Sequence, residues 1–103
     1  MKKFKFTFDA LETLTTHQHL IIPAESEEQA IKLFYIFCKR SASDFSCDGF
    51  ADFSQLETDL DKLSESEKEM YLSMEIGEKE IASWSKAKLH KITNHDFLGE
   101  TYK

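Results

Sequence analysis

The stretch from Ser26 to Arg40, SEEQAIKLFYIFCKR, decides the fold, because it reads as one apolar helix entered directly from a strand that ends in LIIPAE. Ser26 is placed to cap the helix start, and Gln29, three residues on, has the spacing to return a bond to the cap's own backbone N–H. Glu27 and Glu28 lie at the positive end of the helix dipole, and Lys39 and Arg40 at the negative end. Ala30, Ile31, Leu33, Phe34, Ile36, Phe37 and Cys38 occupy more than a single stripe, so the helix is expected to be buried on most of its circumference.

Working outward toward the N-terminus, Lys3 to Phe8 alternates Phe4, Phe6 and Phe8 with Lys3, Lys5 and Thr7, the period of a strand with one face on a core. Asp9 to Glu12 offers a turn, and Thr13 to Ile22 forms a second β-prone run that Pro23 is expected to end. These strands should pair as an antiparallel hairpin, giving a β-β-α opening. In the other direction, Ser41 to Phe50 reads as loop or a very short strand. Phe53, Leu56, Leu60 and Leu63 recur at helical spacing, predicting a second helix over 53–63. Ser64 with Glu67 repeats the capping pattern, so a further short helix through Met70 is expected. Tyr71 to Ile76 alternates as a strand. Residues 78–92 are open between a helix and a hairpin that pairs Met74 with Ile81 across Gly77-Glu78, and Lys79 to Trp84 is read as strand. Thr93 to Lys103 reads as a C-terminal tail.

The whole is a single domain over residues 1–103, of α+β class. The expected architecture is two layers, an antiparallel sheet of three or four strands packed by the central helix, with a second short helix. The longest apolar run, Leu33 to Cys38, has six residues, far below the roughly 18 that a membrane span requires. The N-terminus meets Asp9 and Glu12 before any apolar core, which is not a signal-peptide pattern, so a cytoplasmic chain is expected. Cys38 and Cys47 show no CxxC spacing and are read as free thiols.

Charge is the most informative bulk property. The net charge is −6, but Asp44 to Glu80 holds twelve acids against three lysines, a net of −9. The chain before it comes to +1 and residues 81–103 to +2. Such a surface repels nucleic acid, whose affinity for proteins comes from lysine and arginine releasing counterions, so direct nucleic-acid binding is not expected. If charge decides, the partner is a basic protein. The expected contact surface is Asp44, Asp48, Asp52, Glu57, Asp59, Asp61, Glu65 and Glu67, with Phe45 and Phe50 as aromatic anchors among the carboxylates. Spaced carboxylates of this kind imitate the phosphates of a nucleic acid in a basic groove. The bland alternatives are a solubilising surface for the acids and a satellite of the core for Phe45, Phe50 and Phe53.

Catalytic signatures are sparse. With Gly49, Gly77 and Gly99 as the only glycines, neither a phosphate-binding loop nor a dinucleotide fingerprint can be assembled, and there is no serine-hydrolase elbow. Cys47 before Asp48-Gly49 carries no nucleophile signature. His17 and His19, two apart on a strand, share a face and could supply two ligands to zinc. A third would have to come from His90, His95, Asp96 or Cys47, and no cofactor is expected.

The run FKFTF, the strand ending IIPAESEEQAI and the apolar helix after it, over about residues 3–40, look like the β-β-α opening of short proteins encoded by phages and mobile elements. The later DGFADFSQLETDLDKL is similar to acidic segments of antirestriction proteins. The resemblance implies a non-enzymatic anti-defence inhibitor, of anti-CRISPR or antirestriction type, that blocks a nucleic-acid-binding enzyme. Two alternatives stand beside it: a homodimeric interaction module that associates through a sheet edge or the apolar helix, and a small metal-dependent enzyme using His17 and His19.

Overall fold

The structure, a computed structural model, describes residues 2–11, 15–41, 60–76, 79–80 and 91–101. Among them the chain forms β1 (Lys2–Leu11), β2 (Thr15–Ala24), α1 (Glu27–Ser41), a 3-10 turn (Leu60–Lys62), α2 (Glu65–Leu72), β3 (Glu75–Ile76), β4 (Lys79–Glu80) and β5 (Lys91–Thr101). The described strands make one antiparallel sheet in the order β4-β3-β2-β1-β5. Three long strands dominate it and a hairpin of two-residue strands extends it. This is the expected α+β architecture, with β1 and β2 leading into α1.

The alternation in β1 sets the two faces of the sheet. Phe4, Phe6, Phe8 and Ala10 are buried, and the β1–β2 register places Ile22 and Leu20 opposite Phe4 and Phe6 on the same face. Helix α1 covers that face. All six residues from Leu33 to Cys38 are buried, as expected of a helix surrounded on most sides. The contact is aromatic: Phe6 stacks on Phe34 with centroids 4.3 Å apart, and Phe8 lies 5.7 Å from Phe37. Leu63, Met70, Tyr71 and Met74 join the same core, which is how α1 comes to be buried beyond its sheet-facing side.

Both helix starts are capped by serine. The Ser26 hydroxyl accepts from the backbone N–H of Gln29 at 3.2 Å, but the Gln29 side chain accepts from the N–H of Glu25, one residue before the cap, at 2.9 Å. Ser64 caps α2 by accepting from the N–H of Glu67 at 3.2 Å.

Several expectations are corrected. β2 runs through Pro23 to Ala24. Beyond Ile21, β3 no longer flanks β2 among the described residues, so the proline sits at a sheet edge, where a missing donor is tolerated. The strand expected over Tyr71 to Ile76 forms only at its end: α2 continues to Leu72, and only Glu75 and Ile76 pair. Met70, Tyr71 and Met74 reach the core at helical spacing, while Leu72, inward on the strand reading, is 51% exposed. The helix expected over 53–63 falls mostly outside the described residues, and its end is the 3-10 turn at 60–62. The pairs Glu75↔Glu80 and Ile76↔Lys79 lie on the hairpin register that would bring Met74 opposite Ile81, a residue outside the described set.

The tail expected from Thr93 to Lys103 is instead most of β5, the third long strand, paired along β1 from Lys3↔Thr101 to Leu11↔Lys91. It carries two extra residues relative to β1. Thr93 falls between the pairs Asp9↔Asn94 and Ala10↔Ile92, while Leu98 and Gly99 together face the single Lys5. Gly99 takes φ +85°, a backbone conformation that side chains disfavour and that a bulge can require. Among the described residues, no helix is long and apolar enough to cross a membrane.

Candidate functional site

Two places on the described surface bear on function: the acids that follow the central helix, and the sheet face opposite α1. Of the expected contact residues, Asp44, Asp48, Asp52, Glu57, Asp59, Phe45 and Phe50 lie outside the described residues, as does Cys47. Asp61 and Glu65 are exposed, and Glu69 is exposed on the same helix as Glu65. Glu65 has Lys68 3.7 Å away, one helical turn on.

Glu67 behaves differently. Its carboxylate accepts from Lys32 Nζ on α1 at 2.9 Å, with side chains only 27% and 18% exposed. The Lys32 hydrogen bond holds the Glu67 carboxyl below its ordinary value near 4.5, against the opposing effect of burial. Glu67 is thus a tie between the two helices. A folded-state value below the unfolded one stabilises the fold above about pH 4.5, and the contribution fades as pH falls through the lower folded value. Glu67→Gln is therefore expected to cost about 1 kcal/mol at pH 7. In urea melts across pH, its stability should approach that of the parent protein as the pH falls below 4.5; an unchanged gap would assign the loss to packing.

Arg40 at the end of α1 reaches Tyr71 on α2. Burial pushes the Tyr71 hydroxyl well above its ordinary range, and the Arg40 guanidinium opposes that shift. Lys39 lies 5.4 Å from the centre of the Tyr35 ring. The basic end of α1 is thereby occupied by aromatic partners.

The second place is polar and concave. On the sheet face away from α1, β1 presents Lys5, Thr7 and Asp9, and β2 sets His19 opposite Thr7 and His17 opposite Asp9. On the other side β5 sets Asp96 opposite Thr7 and Asn94 opposite Asp9. Together they line a concavity of about 300 Å³. Thr7 is the short side chain at its centre, flanked by longer ones on both neighbouring strands. His17 Nδ1 lies 2.5 Å from Asp9 Oδ1, so a proton on that nitrogen is donated to the carboxylate and Nε2 is left facing outward.

His17 and His19 do share a face, as the strand spacing implies. Of their candidate partners, Asp96 is on that face, but His95 pairs with Phe8 and its ring packs 5.8 Å from Phe34 of α1, on the core side. His90 lies outside the described residues. Among the described residues, no three His, Cys, Asp or Glu side chains converge in a way that could hold a metal ion. Asp96 is among the partners the sequence offers to His17 and His19, but Asn94 is not, because the strand that carries both lacks a clean alternation; Asp9 meets His17 because β1 continues through the residues expected to turn.

No family model, curated protein or solved structure matches the chain.

Proposed function

We propose that the chain is a non-enzymatic acidic binding protein that occupies the basic nucleic-acid-binding surface of a protein partner. This is the mode of action of an anti-CRISPR or antirestriction inhibitor, with carboxylates standing in for phosphates. The observation that carries the reading is the partition of charge: a net of −9 between Asp44 and Glu80 in a chain whose other segments are weakly positive. Carboxylates held at a surface attract a basic groove through the same field that holds DNA, and that attraction is screened by salt. Asp61, Glu65 and Glu69 are exposed along this stretch, whereas Glu67, tied to Lys32, belongs to the fold. The proposed contact set is therefore Asp44, Asp48, Asp52, Glu57, Asp59, Asp61 and Glu65, with Phe45 and Phe50 as apolar anchors.

The test is a pull-down with tagged protein, washed at low and then high salt, beside a variant carrying Glu57→Gln, Asp59→Asn, Asp61→Asn and Glu65→Gln. The expected result is a basic nucleic-acid-binding protein held at low salt, shed at high salt, and not held by the variant. Equal retention by both proteins would defeat the proposal.

A second reading, a homodimer through the sheet edge, draws on β5, which ends the strand order among the described residues and leaves Leu98 57% exposed. The two extra residues in β5 argue against it, since bulges twist an edge away from flat pairing. A dimer in light scattering that persists unchanged from low to high salt would favour it.

A further inference from the structure

We infer that the concavity on the polar sheet face receives the guanidinium of an arginine side chain from a basic protein; that the arginine belongs to a partner protein rests on the function proposed above. The sign of the occupant follows from the lining. Asp9 and Asp96 bring two carboxylates to a site whose one lysine is Lys5, so an anion is disfavoured. A metal ion is disfavoured too, because no three ligating side chains converge among the described residues.

The shape of the cation follows from the register. Asp96 faces Thr7 across the strands and Asp9 lies two residues along from Thr7, so the carboxylates are diagonal neighbours. Diagonal positions in an antiparallel pair are about 7–8 Å apart, too far for one ammonium to bridge closely and suited to a planar fork with donors on two edges. Thr7, being short, leaves room between them for the fork. His19, opposite Thr7 on the other side, offers an imidazole edge or face to the same plane. Asp96, Asn94 and His19 make no side-chain hydrogen bond or ion pair among the described residues, and Asp9 is engaged only by His17 and, through its backbone carbonyl, Thr93. Asp96 and the second carboxylate oxygen of Asp9, whose first is held by His17, are the acceptors offered to a donor from outside.

The test uses the full chain, isotopically labelled, with a capped Gly-Arg-Gly peptide followed by NMR. The lysine and citrulline analogues and inorganic phosphate serve as competing probes. Shifts from the arginine peptide should centre on Thr7, Asp9, His19 and Asp96. Asp96→Asn should weaken binding about fivefold, the scale of one exposed charged pair. Thr7→Leu, which fills the floor without altering charge, should remove it. Equal shifts from the lysine peptide, stronger ones from phosphate, or none from any probe would each overturn the inference. Its fate separates from that of the parent proposal. If arginine binds here but no basic enzyme is bound by the chain, the acidic-inhibitor reading fails and the pocket stands. If a basic enzyme is bound equally well after Asp96→Asn and Thr7→Leu, the pocket fails and the inhibitor reading stands.

Discussion

Phe6→Ala is expected to destabilise the protein by about 3–5 kcal/mol, the range for deleting a fully buried aromatic ring. Phe6 has no exposed surface, and it is the ring on which sheet and helix meet. It stacks on Phe34 of α1 at 4.3 Å with planes 4° apart, and meets Phe97 of β5 at 4.9 Å and 41°. Truncation therefore empties a space bounded by elements from both ends of the chain. Phe8 and Phe37 are held in the same packing by Phe34 and cannot close that space without breaking their own contacts. For a domain of this size such a loss lowers the melting temperature by roughly 15 °C or more. Lys5→Ala, one residue away on the opposite face, should change stability by less than about 0.5 kcal/mol. Thermal and denaturant melts check both, and a cost for Phe6→Ala below about 1.5 kcal/mol would mean that α1 does not pack on this ring.

Ending the chain at His90 should be still more damaging. On the tail reading, residues 93–103 contribute nothing to the core. In the structure, β5 is hydrogen-bonded along β1, Ile92 is 3% exposed, and Phe97 lies against Phe4 and Phe6. Without β5, those rings and one side of β1 would meet water, and no cooperative unfolding transition is expected. A single substitution separates the two readings more gently. Phe97→Asp puts a carboxylate against Phe4 and Phe6 beside the apolar core, at a cost of about 2 kcal/mol or more, whereas in a tail over 93–103 it would be silent. Circular dichroism melts of both proteins read the outcome directly, and parent-like transitions would return residues 93–103 to the status of a tail.

The reason β5 was hidden in the sequence is physical. A strand declares itself by a period of two, and β5 breaks that period twice, at Thr93 and at Leu98-Gly99. Its core-side residues Ile92, His95 and Phe97 consequently have uneven spacing. One of them is a histidine, legible as core only through its packing on Phe34. By contrast, β1 and α1 announce themselves because local propensity, apolar period and capping all agree there. The YLSMEI segment misled for the opposite reason. Its alternation is real, but the cap at Ser64 starts a helix that runs to Leu72 and buries Met70 and Tyr71, and Met74 is buried just beyond its end.

The candidate sites were legible to different degrees. The acidic stretch can be counted from composition, but nothing in composition separates Glu67, held by Lys32 from another helix, from its exposed neighbours Glu65 and Glu69. The polar concavity depends on pairing across three strands, and only the pairing of His17 with Asp9 and of His19 with Thr7 belongs to the local hairpin. Asp96 and Asn94 arrive from nearly the whole chain length away. No local sequence signal brings them there.

The central claim is that the acids between Asp44 and Glu80 compete with nucleic acid for a basic protein surface. The most direct measurement is fluorescence anisotropy of a labelled DNA duplex bound to a purified restriction or CRISPR nuclease, titrated with the chain at low and at high salt. The account predicts that the chain releases the DNA at low salt, that release weakens as salt rises, and that the variant neutralised at Glu57, Asp59, Asp61 and Glu65 releases little while melting like the parent. DNA that stays bound throughout in the nuclease retained by the pull-down, or is released equally by that variant, would contradict it.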